Sequence, residues 1–422
     1  MDTKKHLGRD YQPRLIDAQI QQALNISGAV VIEGVRACGK TMTGLHHSNS
    51  SIFLDSAEAQ ALLAIDPAFA LDGQAPHLID EWQLHPEIWN QVRREVDFRG
   101  GFGEFILTGS AVPKDDETRH TGAGRFMRVR QRTLTWSERE TPENPISLAE
   151  LFNGTRLSPN TKREEIGTII SRLMQSGFPA QQGLAPAQSQ ILAQAYLEEI
   201  TRTDLHRLEN IRQSPAVLQN LLRALARCVA QEVNISTIRK DLLQVTPSIS
   251  TDTVSHYITL LERVFAIETV SAWAPKLRSR ARLRTNKKIH FADPSLAVAA
   301  LNAGEKTLRE DPETLGFVFE SAAVHDLAVM AEALGGKIYH YRDSNGYEID
   351  AVIELPDGRW GAFEIKLGVG HVEKGIESLQ KAVAQIDAST PPAVMAVISG
   401  TGMTYTEPKS GVHTFPLSSL TI

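Results

Sequence analysis

The chain has 422 residues, a formal net charge of −6, 42% hydrophobic and 22% charged residues, and two cysteines, Cys38 and Cys228. The length points to about three domains rather than one core, and the composition is that of a globular protein. The charge balance excludes a general attraction to nucleic acid, so such a contact needs a local patch; two lone thiols exclude a disulfide framework; and the start lacks an apolar signal core while no run of 18 apolar residues exists, so a cytoplasmic protein without membrane association is expected.

The first part, residues 12–145, alternates short apolar strands at 29–32, 51–54, 77–79 and 104–107 with helical stretches. That alternation predicts a parallel sheet covered by helices. The strand at 29–32 runs into GVRACGKT, which fits G-x-x-x-x-G-K-[ST] with Gly34, Gly39, Lys40 and Thr41. Glycines let backbone N–H groups curl around phosphate oxygens. Lys40 would neutralise the β- and γ-phosphates of ATP and the Thr41 hydroxyl would ligate Mg²⁺. Val35, Arg36, Ala37, Cys38 and Met42 complete the expected nucleotide-binding stretch. HLIDEWQ then puts Asp80 and Glu81 at the end of an apolar strand, where Asp80 can hold Mg²⁺ and Glu81 can polarise the attacking water. The bland reading, two solvated carboxylates opening a helix, is weakened by their position some 40 residues after the loop. EFILTGSA offers Thr108 and Ser110 as hydroxyl sensors of the γ-phosphate. Arg119, Arg125 and Arg128 follow, and Arg125 is the candidate arginine finger, reaching a neighbour's nucleotide if the chain forms a homo-oligomer. Surface or structural arginines are the competing reading.

After Pro142 and Pro145 the pattern becomes helical over 146–273. Val217, Leu218, Leu221, Leu222, Leu225 and Val229 fall at helical spacing; a second helix is predicted over 237–243; Ser250 can cap a third holding Val254, Tyr257, Ile258 and Leu261. With an apolar strand at 267–270, this is a winged-helix-like pattern, and a plain helical bundle is the alternative.

Residues 274–422 return to strands. They open on a basic run: Lys276, Arg278, Arg280, Arg282, Arg284, Lys287 and Lys288, seven positive charges without one acid. Alternate spacing from Lys276 to Arg284 aligns five of them on one face, suited to DNA phosphates; a solvated loop is the bland reading. A helix around 315–334 precedes two strand candidates, with turn signals at Asn345-Gly346 and Pro356-Asp357-Gly358. In AFEIKL, Glu364 and Lys366 are two apart and share one strand face. Asp350 closes the polar face of the strand before, and Glu320 lies on the helix upstream. Together they form E…D…E-x-K, the pattern of the PD-(D/E)xK nuclease fold. Asp350 and Glu364 could hold Mg²⁺ with Glu320 in support, and Lys366 could orient water and stabilise the transition state. The bland reading is a salt-bridged pair on a strand. His325, His340 and His371 show no ligand spacing.

GVRACGKT, LIDEWQ, FILTGSA, GRFMRVRQRTLTWSE, SGFPA, YLEEITRTDL, TVSHYITLLERVFAIETVSAW, KKIHFADPSLA, GFVFESAAVHDL, YHYRDSNGYEIDAVIEL and FEIKLG together resemble a widespread family of prokaryotic AAA+-type ATPases fused to a C-terminal domain of unknown function. The resemblance covers about residues 12–385. It implies a Walker A motif from Gly34 to Thr41, a Walker B motif at Asp80-Glu81, a sensor near Thr108 and Ser110, and a restriction-endonuclease-like core at the C-terminus. Arg36 is at home in that family, whereas Cys38 is an unusual, oxidisable loop residue. The expected architecture is an α/β P-loop NTPase sheet, a helical winged-helix-like region, and an α/β restriction-endonuclease-like domain. The expected function is an ATPase acting with DNA. Two rivals stay open: a DNA-binding ATPase whose C-terminal quartet is an inert scaffold, and an ATP-dependent signalling or defence switch that binds a protein partner.

Overall fold

The structure is a computed structural model that describes residues 8, 10–111, 122–209, 211, 213–275 and 286–422. Arg119 and the basic residues Lys276, Arg278, Arg280, Arg282 and Arg284 lie outside the described residues.

Five strands form the first sheet: β1 (Ala29–Glu33), β2 (Ser50–Phe53), β3 (His77–Asp80), β4 (Phe105–Gly109) and β5 (Phe126–Arg130). Their order is β2-β3-β4-β1-β5, and every pairing is parallel. Parallel strands need crossovers over both faces, so the inner strands read as continuous apolar runs. β1 follows this rule. Its Ala29 and Val31 join a cluster with Trp82, Trp89 and Leu107, while Val30 and Ile32 join Ile20, Leu45, Leu78 and Ile106 on the other face. Each expected strand is present within one or two residues of its predicted bounds.

The middle region begins at a short strand, β6 (Ile146–Ser147), and continues through helices Ile166–Met174, Pro186–Glu199, Pro215–Arg227, Ile235–Leu243 and Thr251–Arg263. Ser250 caps the last of these, its hydroxyl accepting from the Thr253 amide. Two strands, β7 (Ile267–Val270) and β8 (Lys288–Phe291), then pair antiparallel.

The C-terminal sheet holds β9 (Lys337–Arg342), β10 (Glu348–Glu354), β11 (Trp360–Lys366), β12 (Val394–Ser399), β13 (Tyr405–Thr406) and β14 (His413–Pro416) in the order β13-β14-β12-β11-β10-β9. β9, β10 and β11 form an antiparallel meander, after which β11, β12 and β14 run parallel. Helix Pro312–Ala333 packs on one face and helix Val372–Ala384 on the other. The first of these is long and apolar enough to cross a membrane by composition, yet 78% of its most apolar stretch is buried inside the protein. A final strand, β15 (Leu420–Thr421), returns to pair with β6. The largest apolar cluster runs from Val35 and Cys38, through Leu222 and Leu261, to Phe319, Phe363 and Leu420.

Candidate functional site

The loop after β1 turns sharply. A side chain at Gly34 would sit 2.0 Å from the Gln131 carbonyl oxygen, and Gly39 has φ of 103°, so both positions require glycine. Ala37 is also left-handed, at φ 64°. The buried Lys40 ammonium lies back along the loop, donating to the carbonyls of Gly34 and Val35 at 2.9 Å each. Val35 and Cys38 point inward to the large apolar cluster. Arg14 and Gln131 both donate to the Cys38 carbonyl, at 3.1 and 3.2 Å. Arg36 points the other way, to Asp204 at 3.1 Å, and its carbonyl accepts from the Tyr196 hydroxyl at 2.9 Å. Met42 lies on the first turn of helix Lys40–His46, half-buried.

Parallel pairing brings the ends of β1, β3 and β4 together at the carboxyl edge of the sheet. The Thr41 hydroxyl donates to both oxygens of Asp80, at 3.0 and 3.2 Å, and Thr108 donates to the same carboxylate. Asp80 is 5% exposed, and burial pushes its pKa up to about 6 against the hydrogen bonds from Thr108 and Thr41. Glu81 takes a left-handed backbone, φ 58°, a conformation that costs a non-glycine residue about 1–2 kcal/mol. Its carboxylate accepts from Gln83 and, at 3.2 Å, from Ser110. Six of the expected residues therefore meet: Lys40, Thr41, Asp80, Glu81, Thr108 and Ser110. Gln83 belongs with them, yet an amide two residues after an acidic pair carries no motif.

Arg125 stands elsewhere. Its carbonyl accepts from the Ala29 amide at the amino end of β1, the opposite end from the loop, and its guanidinium pairs with Asp97 at 2.8 Å. Arg128 is exposed, pairs with Glu33 and lies 4.9 Å from the centre of the Trp89 ring. Among the described residues, Asp17, His46 and His47 bring ligand atoms within 4.8 Å of one another, with Tyr11 stacked on His46 at 4.1 Å. No sequence spacing announces that grouping.

The C-terminal residues also converge. Lys366 lies 2.6 Å from Glu364 and 3.9 Å from Asp350. Asp350 sits at a register shift in the β9–β10 pairing, between Ile349 and Val352, and such bulges re-aim side chains. Its Oδ2 accepts from the Ile365 amide at 2.8 Å. Glu320, midway along helix Pro312–Ala333, is reached through a residue the E…D…E-x-K pattern omits. Lys288 of β8 lies 2.7 Å from Glu320 and 3.8 Å from Asp350. Burial, aided by the Asp350 charge, pushes Glu320 and Glu364 above the usual carboxylate range, against the pull of the lysines beside them. Burial works against the ammoniums of Lys288 and Lys366, but the facing carboxylates outweigh it and hold both above the usual lysine value.

The two sites are joined by the segment after β5. Gln131 touches the phosphate loop; the next residue, Arg132, pairs with Glu268 at 2.9 Å and Glu332 at 2.6 Å, and Arg130 pairs with Glu268 at 2.7 Å. Thr133 bonds His325 at 3.0 Å, and the Trp136 amide donates to Asp326. Glu332, His325 and Asp326 all belong to the helix that carries Glu320.

The parallel sheet, its glycine loop and the acidic strand end define a P-loop ATPase module. In agreement, residues 27–140 match the family described as AAA domain. Residues 167–307 match a domain of unknown function, DUF8612, and residues 315–420 match another, DUF4143. Among solved structures, the Walker-type ATPase PABY2304 of Pyrococcus abyssi aligns over 69% of this chain and 96% of its own, at 14% identity and a TM-score of 0.42. No curated protein matches the sequence.

Proposed function

We propose that this is a cytoplasmic, Mg²⁺-dependent ATPase that acts on DNA through its C-terminal region. The observation that carries the ATPase half is the meeting of Thr41 and Asp80, 39 residues apart, at 3.0 Å beside Lys40. A hydroxyl and a buried carboxylate are hard oxygen donors, and that donor set fits Mg²⁺. Thr41 and Asp80 would hold that ion, which would supply positive charge against the charge that develops on the phosphates. Lys40 releases the loop carbonyls to meet the β- and γ-phosphates. Glu81 polarises the attacking water once Gln83 and Ser110 let it turn. Thr108 keeps Asp80 in place. Arg125 is too far round the module to serve its own nucleotide, so an arginine finger at this position requires a neighbouring copy of the chain.

The nuclease-like reading rests on the convergence of Glu320, Asp350, Glu364 and Lys366 across a helix and two strands. Asp350 and Glu364 offer carboxylate oxygens to a divalent cation, Glu320 extends the acidic wall, and Lys366 sits where it could steady a phosphate. Lys288, the last member of the basic run in the sequence, lies in this site, which favours a phosphodiester substrate over a protein partner. The three helices Pro215–Arg227, Ile235–Leu243 and Thr251–Arg263, followed by β7 and β8, support a winged-helix-like contact with the duplex.

ATP turnover with and without DNA, for wild type and Lys40→Ala, tests the first half; a DNA-stimulated rate that is lost in the variant is expected. Incubation with plasmid, Mg²⁺ and Mn²⁺ tests the second. Cleavage abolished by Asp350→Ala is expected, and DNA binding without cleavage by wild type would leave the quartet a scaffold.

A further inference from the structure

The C-terminal site holds two ammonium groups, and they are not equivalent. Asp350 stands between them: its Oδ1 faces Lys288 at 3.8 Å and its Oδ2 faces Lys366 at 3.9 Å. Each lysine has a second carboxylate of its own, Glu320 for Lys288 and Glu364 for Lys366, at 2.7 and 2.6 Å. One shared carboxylate flanked by two others is the donor arrangement of a site for two cations, which in phosphoryl-transfer centres lie about 3.5–4 Å apart. Here an ammonium stands in each place.

The two ammoniums differ in how firmly they are held. The Lys366 side chain is 29% exposed and ends its strand, so it can swing outward. The Lys288 side chain is 10% exposed. Its strand is pinned on both sides, by β7 and by a bridge from Glu232. A divalent ion brought between Glu320 and Asp350 would meet a fixed positive charge at contact distance in a poorly solvated place, where like charges repel strongly.

We propose that Lys288 is a built-in second cation of this site, standing between Glu320 and Asp350 in place of a second divalent ion. The site then takes one divalent ion, between Asp350 and Glu364, and Lys288 supplies the other positive charge that faces a substrate phosphate. Glu320 is a positioning residue: it holds Lys288 rather than metal. This inference rests on the reading of the C-terminal acids as a metal centre. It also explains why the basic run ends inside the site, since the last member of the run is the residue that completes it.

Counting bound Mn²⁺ by electron paramagnetic resonance tests this without any activity. The full-length, nucleotide-free chain carries Asp80→Asn, so that the ATPase site contributes no ion. One Mn²⁺ per chain is expected, abolished by Asp350→Asn. Adding Lys288→Met should raise the count to two, and Lys288→Arg should leave it at one. Glu320→Gln should also leave it at one, an independent check should the methionine variant fold poorly. Two ions with Lys288 intact, no gain in a folded Lys288→Met chain, or loss of the ion in Glu320→Gln would overturn the proposal while leaving a metal centre in place. No ion in any of these chains would overturn the metal-centre reading itself.

Discussion

The two candidate sites of this chain use the same residue types in opposite ways. At the phosphate loop, the buried Lys40 donates to backbone carbonyls, those of Gly34 and Val35. The acids at the end of β3 are occupied by hydroxyls and an amide: Asp80 by Thr41 and Thr108, Glu81 by Gln83 and Ser110. At the C-terminal site every lysine lies directly on a carboxylate. Carbonyls are weak partners for an ammonium, so Lys40 gains by trading them for a triphosphate. Lys288 and Lys366 are already paired, so any ligand there would have to compete with internal ion pairs. On the proposed function, one site is set to receive an anion, and the other stays internally compensated until a cation or a phosphate rearranges it.

That contrast can be broken most directly at Lys40. Lys40→Ala should lower ATP turnover about 10²–10³-fold, the scale for losing one preorganised charge donor, with little change in thermal stability; a steady-state phosphate-release assay checks it. Glu81→Gln should lower kcat about 10²-fold while a fluorescent nucleotide still binds, which would separate the acid proposed to activate water from the acid proposed to hold the ion. The junction between the sites is the next lever. Arg132→Met takes away the partner of Glu332 and one of the two partners of Glu268, which keeps Arg130; it should cost roughly 1–3 kcal/mol, the scale for leaving a partly buried polar group without its partner, read from urea denaturation. The same junction has a pH signature. Burial alone would raise the Glu268 pKa, but Arg130 and Arg132 outweigh it and hold it far below the carboxylate range. A depressed pKa stabilises the fold above the unfolded value of 4.5, and that stabilisation is lost as the pH falls below it. Wild type should therefore lose roughly 1 kcal/mol per pH unit more than Glu268→Gln below that value, comparing urea midpoints at several pH values. The smallest effect is expected at Gln83. Gln83→Ala frees Glu81 from one of its two holders and should change kcat by about tenfold, the scale of a single hydrogen bond to a charged group; parallel ATP titrations of the variant and wild type measure it.

The first site was largely legible because its chemistry is local. Gly34 to Thr41 lie within one turn of chain, and Asp80, Glu81, Thr108 and Ser110 each follow an apolar strand whose parallel pairing brings the strand ends together. Short apolar runs bounded by turn residues located those strands to within a residue or two. The second site was legible only in part. Glu364 and Lys366 share a strand face by simple alternation, but Asp350 reaches them through a register shift that no periodicity announces. In the sequence Lys288 is one of seven basic residues, and nothing in its spacing sets it apart. Its place beside Glu320 depends on β7 and β8 pairing, which is a tertiary fact. Gln83 escaped for a similar reason, since a side-chain amide gains meaning only from the acid it touches. The middle helices appeared where their apolar periodicity put them, and the pairing of β7 with β8 was invisible because part of the intervening chain is a run of charges without alternation of apolar residues.

The apolar cluster that begins at Val35 and Cys38 and ends at Leu420 has a practical meaning for anyone dividing this chain. A cut after the first sheet would leave the nucleotide loop without the oily bed it rests on, and would lay bare the matching surface on the helices beyond. Either fragment should be sticky and prone to precipitate, and the whole chain should melt as one unit rather than as beads on a string.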